Sequence, residues 1–186
     1  MGPVITINSA TPVNKGLEVI EAHLLFDLPY DRIDVVVHPT SVVHSMVEFT
    51  DGSTPVQASP PTMMIPIALG LAWPDRVPDA APAVDWTRRE TWEFFPLDDE
   101  AFPAVALARQ AGERGATAPA VYNAANEVCV DAFMAGRLRF IDIVPTVASV
   151  VARHDVPLQE QLTIDDILAA DTRAREEAAL TIGETL

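Results

Sequence analysis

Ser9, Asn14, Lys15 and Glu18 are the residues of this chain whose types and spacing could do chemistry together. Asn14, Lys15 and Glu18 stand at i, i+1 and i+4, so on a helix they share one side of its first turns. An amide, an ammonium and a carboxylate would then face the same way, with the Ser9 hydroxyl in the preceding turn. Ser9, Asn14 and Lys15 suit an anionic group, and Glu18 suits a divalent cation or a hydroxyl. Lys15 and Glu18 are also i, i+3 partners, and such pairs are commonly solvated surface ion pairs worth a few tenths of a kcal/mol. Spacing alone leaves both readings open.

The elements that must position these residues follow from pattern. Residues 3–8 read as a short β-like strand. Residues 12–27 read as a helix whose apolar positions Val13, Leu17, Ile20 and Leu24 make a stripe at 4, 3 and 4 spacing. A strand ending in Ser/Thr ahead of a helix start leaves free backbone N–H groups pointing outward, which favours an anion there. Pro12 suits the first helical turn, and Leu28-Pro29 ends the helix. Short strands are expected at 33–38, 42–50 and 54–58, with Asp51-Gly52 as a hairpin turn. Residues 63–72 read as a helix apolar nearly all round, hence buried in a core or a subunit interface. Prolines and large aromatics from 74 to 100 make an irregular but anchored connector. From 101 onward four helices are expected, at 103–114, 118–135, 140–154 and 164–185, forming a small bundle. The predicted class is mixed α+β, a partial α/β domain with a short-stranded sheet followed by a four-helix bundle. The expected boundaries are 1–73, 74–100 and 101–186.

Composition narrows the functions. With 27 acidic against 12 basic residues the net charge is −15, which disfavours nonspecific nucleic-acid binding. An acidic protein that holds an anion must use a few local donors, which gives Lys15 added weight. The single cysteine, Cys129, rules out an internal disulfide and any Cys-based zinc cluster. The N-terminus lacks a signal-peptide pattern, and no run of apolar residues is long enough to span a membrane, so a cytoplasmic protein is expected.

Other polar residues have plainer roles. His38 and His44 fit no familiar metal signature. A Ser/His/Asp set from Ser41 or Ser45, His44 and Asp51 lacks a GxSxG elbow. Asn126 and Glu127 lie in a helix, where tying helices together is the favoured role over catalysis. His23 and His154 read as surface or helix-end residues.

Five separated segments carry a resemblance: NKGLEVIEA within 5–22, HPTSVVHSMVEFTDGS at 38–53, the 66–74 helix ending in AWP, NAANEVCVDAF at 123–133 and IDDILAADTRAR at 164–175. In order and spacing they resemble the C-terminal half of the 1-deoxy-D-xylulose 5-phosphate reductoisomerase family: the end of its catalytic domain, the connector and the C-terminal helical domain. The resemblance implies an NADPH- and divalent-metal-dependent conversion of 1-deoxy-D-xylulose 5-phosphate to 2-C-methyl-D-erythritol 4-phosphate, in non-mevalonate isoprenoid synthesis. By it, Ser9, Asn14 and Lys15 would hold the sugar-phosphate substrate, and Glu18 would ligate Mg²⁺ or Mn²⁺ and face the substrate oxygens. Lys15 and Glu18 would be the catalytic pair, and Gly2 would lie against the nicotinamide cofactor. The family's NADPH-binding domain, its Asp-x-Glu metal carboxylates and the tryptophan and histidine of its lid lie outside these residues. The chain alone is therefore expected not to turn over. Asn8, where the family pattern has Asp, Pro12-Val13 and Thr40 are departures that remove no proposed ligand. The resemblance also implies a homodimer. The alternative is a stand-alone binding or dimerisation module that kept the fold and lost the chemistry.

Overall fold

The computed structural model describes residues 2–156 and 162–185. In chain order the elements are α1 (Pro3–Ala10), α2 (Val13–Phe26), β1 (Val36–Val37), β2 (Val43–Met46), β3 (Val56–Ala58), α3 (Met64–Ala72), β4 (Phe95–Pro96), α4 (Ala104–Arg114), α5 (Ala118–Met134), α6 (Ile143–Arg153) and α7 (Ile164–Thr185), with 3₁₀ turns at Tyr30–Arg32 and Phe140–Asp142. They pack as two units, one joining the residues through Val35 with those from Asp98 onward, the other Val36–Leu97.

The first unit is built around α5. Val121, Tyr122, Ala125, Asn126, Cys129 and Val130 all lose their solvent contact, because α5 is apolar on most of its circumference and is covered by α4, α6 and α7. Each large aliphatic side chain fully buried here contributes about 1.5–3 kcal/mol. On α7 the buried residues are Ala170, Ala174, Ala178 and Ile182, a four-residue spacing of mostly small side chains that lets this helix come close to α5. Gly136, at φ +70°, ends α5, with its N–H on the Phe133 carbonyl and that of Arg137 on Ala132. The four expected C-terminal helices are all present, the third shortened because its first turn is 3₁₀. Helices α1 and α2 pack onto this same body, α2 against α4 and α1 against α5.

Residues 3–8 are helical, which corrects the strand expected there. Pro3 stands at the first helical position, which its fixed φ suits. The hydroxyls of Thr6 and Ser9 turn back onto the carbonyls of Gly2 and Ile5, four residues earlier. Packing of Ile7 then outweighs the β preference of Val4, Ile5 and Ile7.

In the second unit β2 and β3 form the expected antiparallel hairpin, shorter than its apolar runs and irregular between Val43 and Ser45. Its turn holds Gly52 at φ +84°, with the Asp51 carboxylate accepting from the Ser53 N–H and hydroxyl. The connector returns as β4 to pair with β1, and Phe94 stacks on His38 with ring centroids 4.5 Å apart. Among the described residues of this unit only Val43 and Ser59 are buried. No residue of α3 is buried, so a place for this helix in the core of the single chain is ruled out.

Candidate active site

Helix α2 has one face committed to packing. Val13, Gly16, Val19 and Ile20 are buried, which turns Asn14, Lys15 and Glu18 outward together. The Glu18 carboxylate is held at both oxygens. Asn14 Nδ2 donates to Oε1 at 2.7 Å, and Lys15 Nζ donates to Oε2 at 2.6 Å. Both charged side chains keep nearly half their surface in solvent, 45% for Lys15 and 46% for Glu18. An ion pair this exposed is worth no more than about 1 kcal/mol. Breaking it to admit a stronger anion for Lys15 and a cation for Glu18 is correspondingly cheap. Backbone N–H groups of the first turn of α2 lie beside Asn14 and Lys15 without intrahelical partners, adding the positive end of the helix dipole.

The depth to which α2 is seated depends on Gly16. A Cβ there would stand 2.7 Å from Ala108 Cβ and 2.9 Å from Tyr122 Oη. Just beyond α2, His23 donates from Nδ1 to the Leu28 carbonyl at 2.7 Å and stacks on Tyr30. The Arg109 guanidinium bonds to the carbonyls of Tyr30 and Ile33, tying the exit of α2 to α4.

Ser9 lies in the last turn of α1, not at a strand end, and its hydroxyl donates to the Ile5 carbonyl at 2.8 Å. It has to rotate away before it can serve a ligand. Gly2 caps the opposite end of α1, about 10 Å along the helix from Ser9. The structure thus brings together three of the five expected residues and leaves Ser9 nearby and Gly2 apart. Asn126, as expected, ties helices together; what the sequence did not reveal is its partner, Asn8 of α1, whose Oδ1 accepts from Asn126 Nδ2 at 3.0 Å, next to Ser9. The only signal of that tie was the Asn126 amide inside an apolar helical stripe. Glu127, as expected, ties helices together: it accepts from Asn123 and from Arg175 of α7.

The hydrolase arrangement does not assemble. His44 Nε2 bonds to the Ser59 carbonyl and hydroxyl, and Asp51 is taken by Ser53, whose hydrogen bonds hold its carboxyl below the usual range. His38 is bound to the Glu93 carbonyl and to Thr40. Among the described residues no group of three or more His, Cys, Asp or Glu side chains could hold a metal ion. Glu18 fits as one ligand of a Mg²⁺ site and not as the site, since the ion needs several oxygens in near-octahedral geometry. Likewise a single glycine, Gly2, does not make a dinucleotide site.

Comparison with known proteins agrees with the architecture. Residues 58–177 match a family described as DXP reductoisomerase C-terminal domain, and residues 1–26 match 1-deoxy-D-xylulose 5-phosphate reductoisomerase C-terminal domain. A helical body closed on α5 that matches both family models is that of a reductoisomerase C-terminal region. The chain belongs to the 1-deoxy-D-xylulose 5-phosphate reductoisomerase family. It is 70% identical to the reductoisomerase of Kitasatospora griseola over 96% of its length and 46% of that protein. It is 63% identical to that of Streptomyces coelicolor over its whole length and 44% of that protein. Among solved structures, the Zymomonas mobilis reductoisomerase in complex with NADPH superposes with a TM-score of 0.87 at 41% identity, covering 96% of this chain and 47% of that one. A DOX-P reductoisomerase in complex with NADPH, fosmidomycin and magnesium gives 0.90 at 39% identity, covering 98% and 47%. The chain spans about half the length of the curated relatives it matches. No helix among the described residues is long and apolar enough to cross a membrane.

Proposed function

We propose that this chain provides the phosphate-holding face and one metal carboxylate of a reductoisomerase that turns 1-deoxy-D-xylulose 5-phosphate into 2-C-methyl-D-erythritol 4-phosphate, with NADPH and Mg²⁺ or Mn²⁺. The observation that carries this is the exposed Asn14–Glu18–Lys15 cluster on α2, with both Glu18 oxygens held by donors that a phosphate could take instead. Lys15 leaves Glu18 for the substrate phosphate, and the Asn14 amide and the Ser9 hydroxyl turn to donate beside it. Glu18 is left with both oxygens free and facing the substrate hydroxyls. In the whole enzyme Glu18 would be one of several ligands to a divalent metal, which would supply Lewis-acid polarisation of a carbonyl, and NADPH would supply a hydride. The residues described contribute binding, charge and orientation to that chemistry.

The test is titration of the 186-residue chain with inorganic phosphate and then with Mg²⁺, followed by NMR. Phosphate should shift the amide signals of residues 9–15, and Lys15→Ala should remove the shift. Mg²⁺ should bind weakly, and Glu18→Gln should abolish it while His44→Ala leaves it intact. The chain alone should not oxidise NADPH with the substrate. Turnover by these residues, or phosphate binding indifferent to Lys15, would refute the proposal.

Homodimerisation and a cytoplasmic location belong to the same proposal. Met63, Met64, Ile67, Leu71 and Trp73 are all more than half exposed, a surface suited to a subunit contact. That surface equally favours the second reading, a dimerisation module without catalysis. Sedimentation equilibrium measures the pairing, and the phosphate titration separates the two readings.

A further inference from the structure

We infer that Asn126 is a positioning residue for the phosphate-holding face, acting through Asn8 on the corner between α1 and α2. This rests on the function proposed above. Asn126 sits within α5 and is completely buried. Burying an amide costs free energy unless its donors and acceptor are all met. Its Nδ2 is met by Asn8 Oδ1 across 118 residues of chain, yet its own Oδ1 is buried without a hydrogen-bond partner. An apolar side chain at this position would avoid that cost. The amide is therefore better explained by what it holds than by what it adds to stability.

What it holds is the corner that carries the site. Asn8 is followed by Ser9, then by Thr11, which is buried and donates its hydroxyl to the Ile7 carbonyl at 3.1 Å. Helix α2, with Asn14, Lys15 and Glu18, begins two residues later. One turn before Asn126, Tyr122 donates its hydroxyl to the Ala104 carbonyl and stands against Gly16, in the first turns of α2. Two residues four apart on α5 thus touch both elements of the site, Tyr122 through α2 and Asn126 through α1. The C-terminal helices set where Ser9 stands relative to Lys15. Neither α5 residue reaches the ligand face itself, so Asn126 acts by geometry and not by contact.

The experiment is a double-mutant cycle on the 186-residue chain: Asn8→Ala, Asn126→Ala and both together, with Lys15→Ala as the reference. Each variant is measured for its dissociation constant for inorganic phosphate, for thermal midpoint, and for amide hydrogen exchange. Either single substitution should weaken phosphate binding roughly three- to tenfold, the span of one neutral hydrogen bond, and the double should be no worse than the singles. Exchange should accelerate at residues 9–16 and stay unchanged in α7. Asn8 is only partly buried, so Asn8→Ala serves if Asn126→Ala does not fold. A lowered thermal midpoint with unchanged phosphate affinity and unchanged exchange at 9–16 would overturn the inference and leave Asn126 structural. Additive singles would overturn it too. If Lys15→Ala leaves phosphate affinity untouched, it is the phosphate-holding reading that fails, and the exchange pattern still decides whether Asn126 orders the corner.

Discussion

Replacing Gly16 by alanine isolates the contact that seats the site-bearing helix. In an exposed helix interior this change gains about 0.8–1 kcal/mol, because glycine gives up more backbone freedom on folding. At Gly16 the new Cβ would stand 2.7 Å from Ala108 Cβ, 2.9 Å from Tyr122 Oη and 3.2 Å from the Ala104 carbonyl oxygen. Ala108 has no torsion by which to withdraw, and Tyr122 is fully buried and bonded to the Ala104 carbonyl. Helix α2 must therefore move off α4 by most of an ångström. Overpacking costs about 1–3 kcal/mol, and with neither neighbour able to withdraw the upper part of that range, about 2–3 kcal/mol, applies. The net destabilisation should be about 1–2 kcal/mol after the propensity gain. For a protein of this size that is a fall in Tm of about 3–6 °C. Thermal unfolding followed by circular dichroism at 222 nm measures it. The control is Gly183→Ala, since a Cβ at that position in α7 meets nothing within 4 Å and should leave Tm unchanged or raise it. A Gly16→Ala protein that melts at or above the wild type would refute the close approach of α2 to α4. The shift should also be visible at the site, as weaker phosphate binding in proportion to the displacement of Lys15.

Further expectations concern the helical unit. His154 ends α6 with Nε2 2.8 Å from the Thr117 hydroxyl, and burial, then the nearby Arg114 and Arg173 charges, lower its pKa from 6.5 against the opposing pull of Asp155 and Glu177. The unfolded chain then binds this proton more readily than the folded one. Stability from His154 is complete above pH 6.5 and is lost as pH falls through the lowered folded value, so urea midpoints should drop on acidification and His154→Gln should flatten that drop. Burial pushes the Cys129 thiol up to about 12, so alkylation by iodoacetamide at pH 8 should be slow in the native protein and fast in urea. Arg175 grips Asp171 at two atoms and reaches Glu127, joining α7 to α5. With these groups partly in solvent, Arg175→Ala should cost about 0.5–1.5 kcal/mol in a urea titration, and Arg175→Lys should recover little of it because an ammonium lacks the two-pronged fit.

How legible these features were differs by element. The C-terminal helices could be read directly, since Val147, Val150 and Val151 of α6 and the spaced alanines of α7 already mark the faces they bury. On α2 the stripe Val13, Leu17, Ile20, Leu24 gave the helix but misplaced its buried face. Leu24 is 72% exposed, and Gly16 and Val19 are buried in its stead. A glycine has no hydrophobic signal, yet its missing side chain is what lets α4 come close. At 3–8 the β-branched residues pointed to a strand, and packing of Ile7 with the side-chain hydrogen bonds of Thr6 and Ser9 made a helix. For α3, composition called for burial, and among the described residues the packing leaves none of its side chains fully buried.

The sequence by itself determined which groups share a face of α2, because i, i+1 and i+4 fall on one side of any α-helix whatever surrounds it. The tertiary structure decided how that face is held. The bond from Asn126 to Asn8 spans 118 residues, and the contact of Gly16 with Ala108 and Tyr122 spans about a hundred. Local pattern carries no record of which distant residues meet; that is settled only when α5 becomes the axis on which the other helices close.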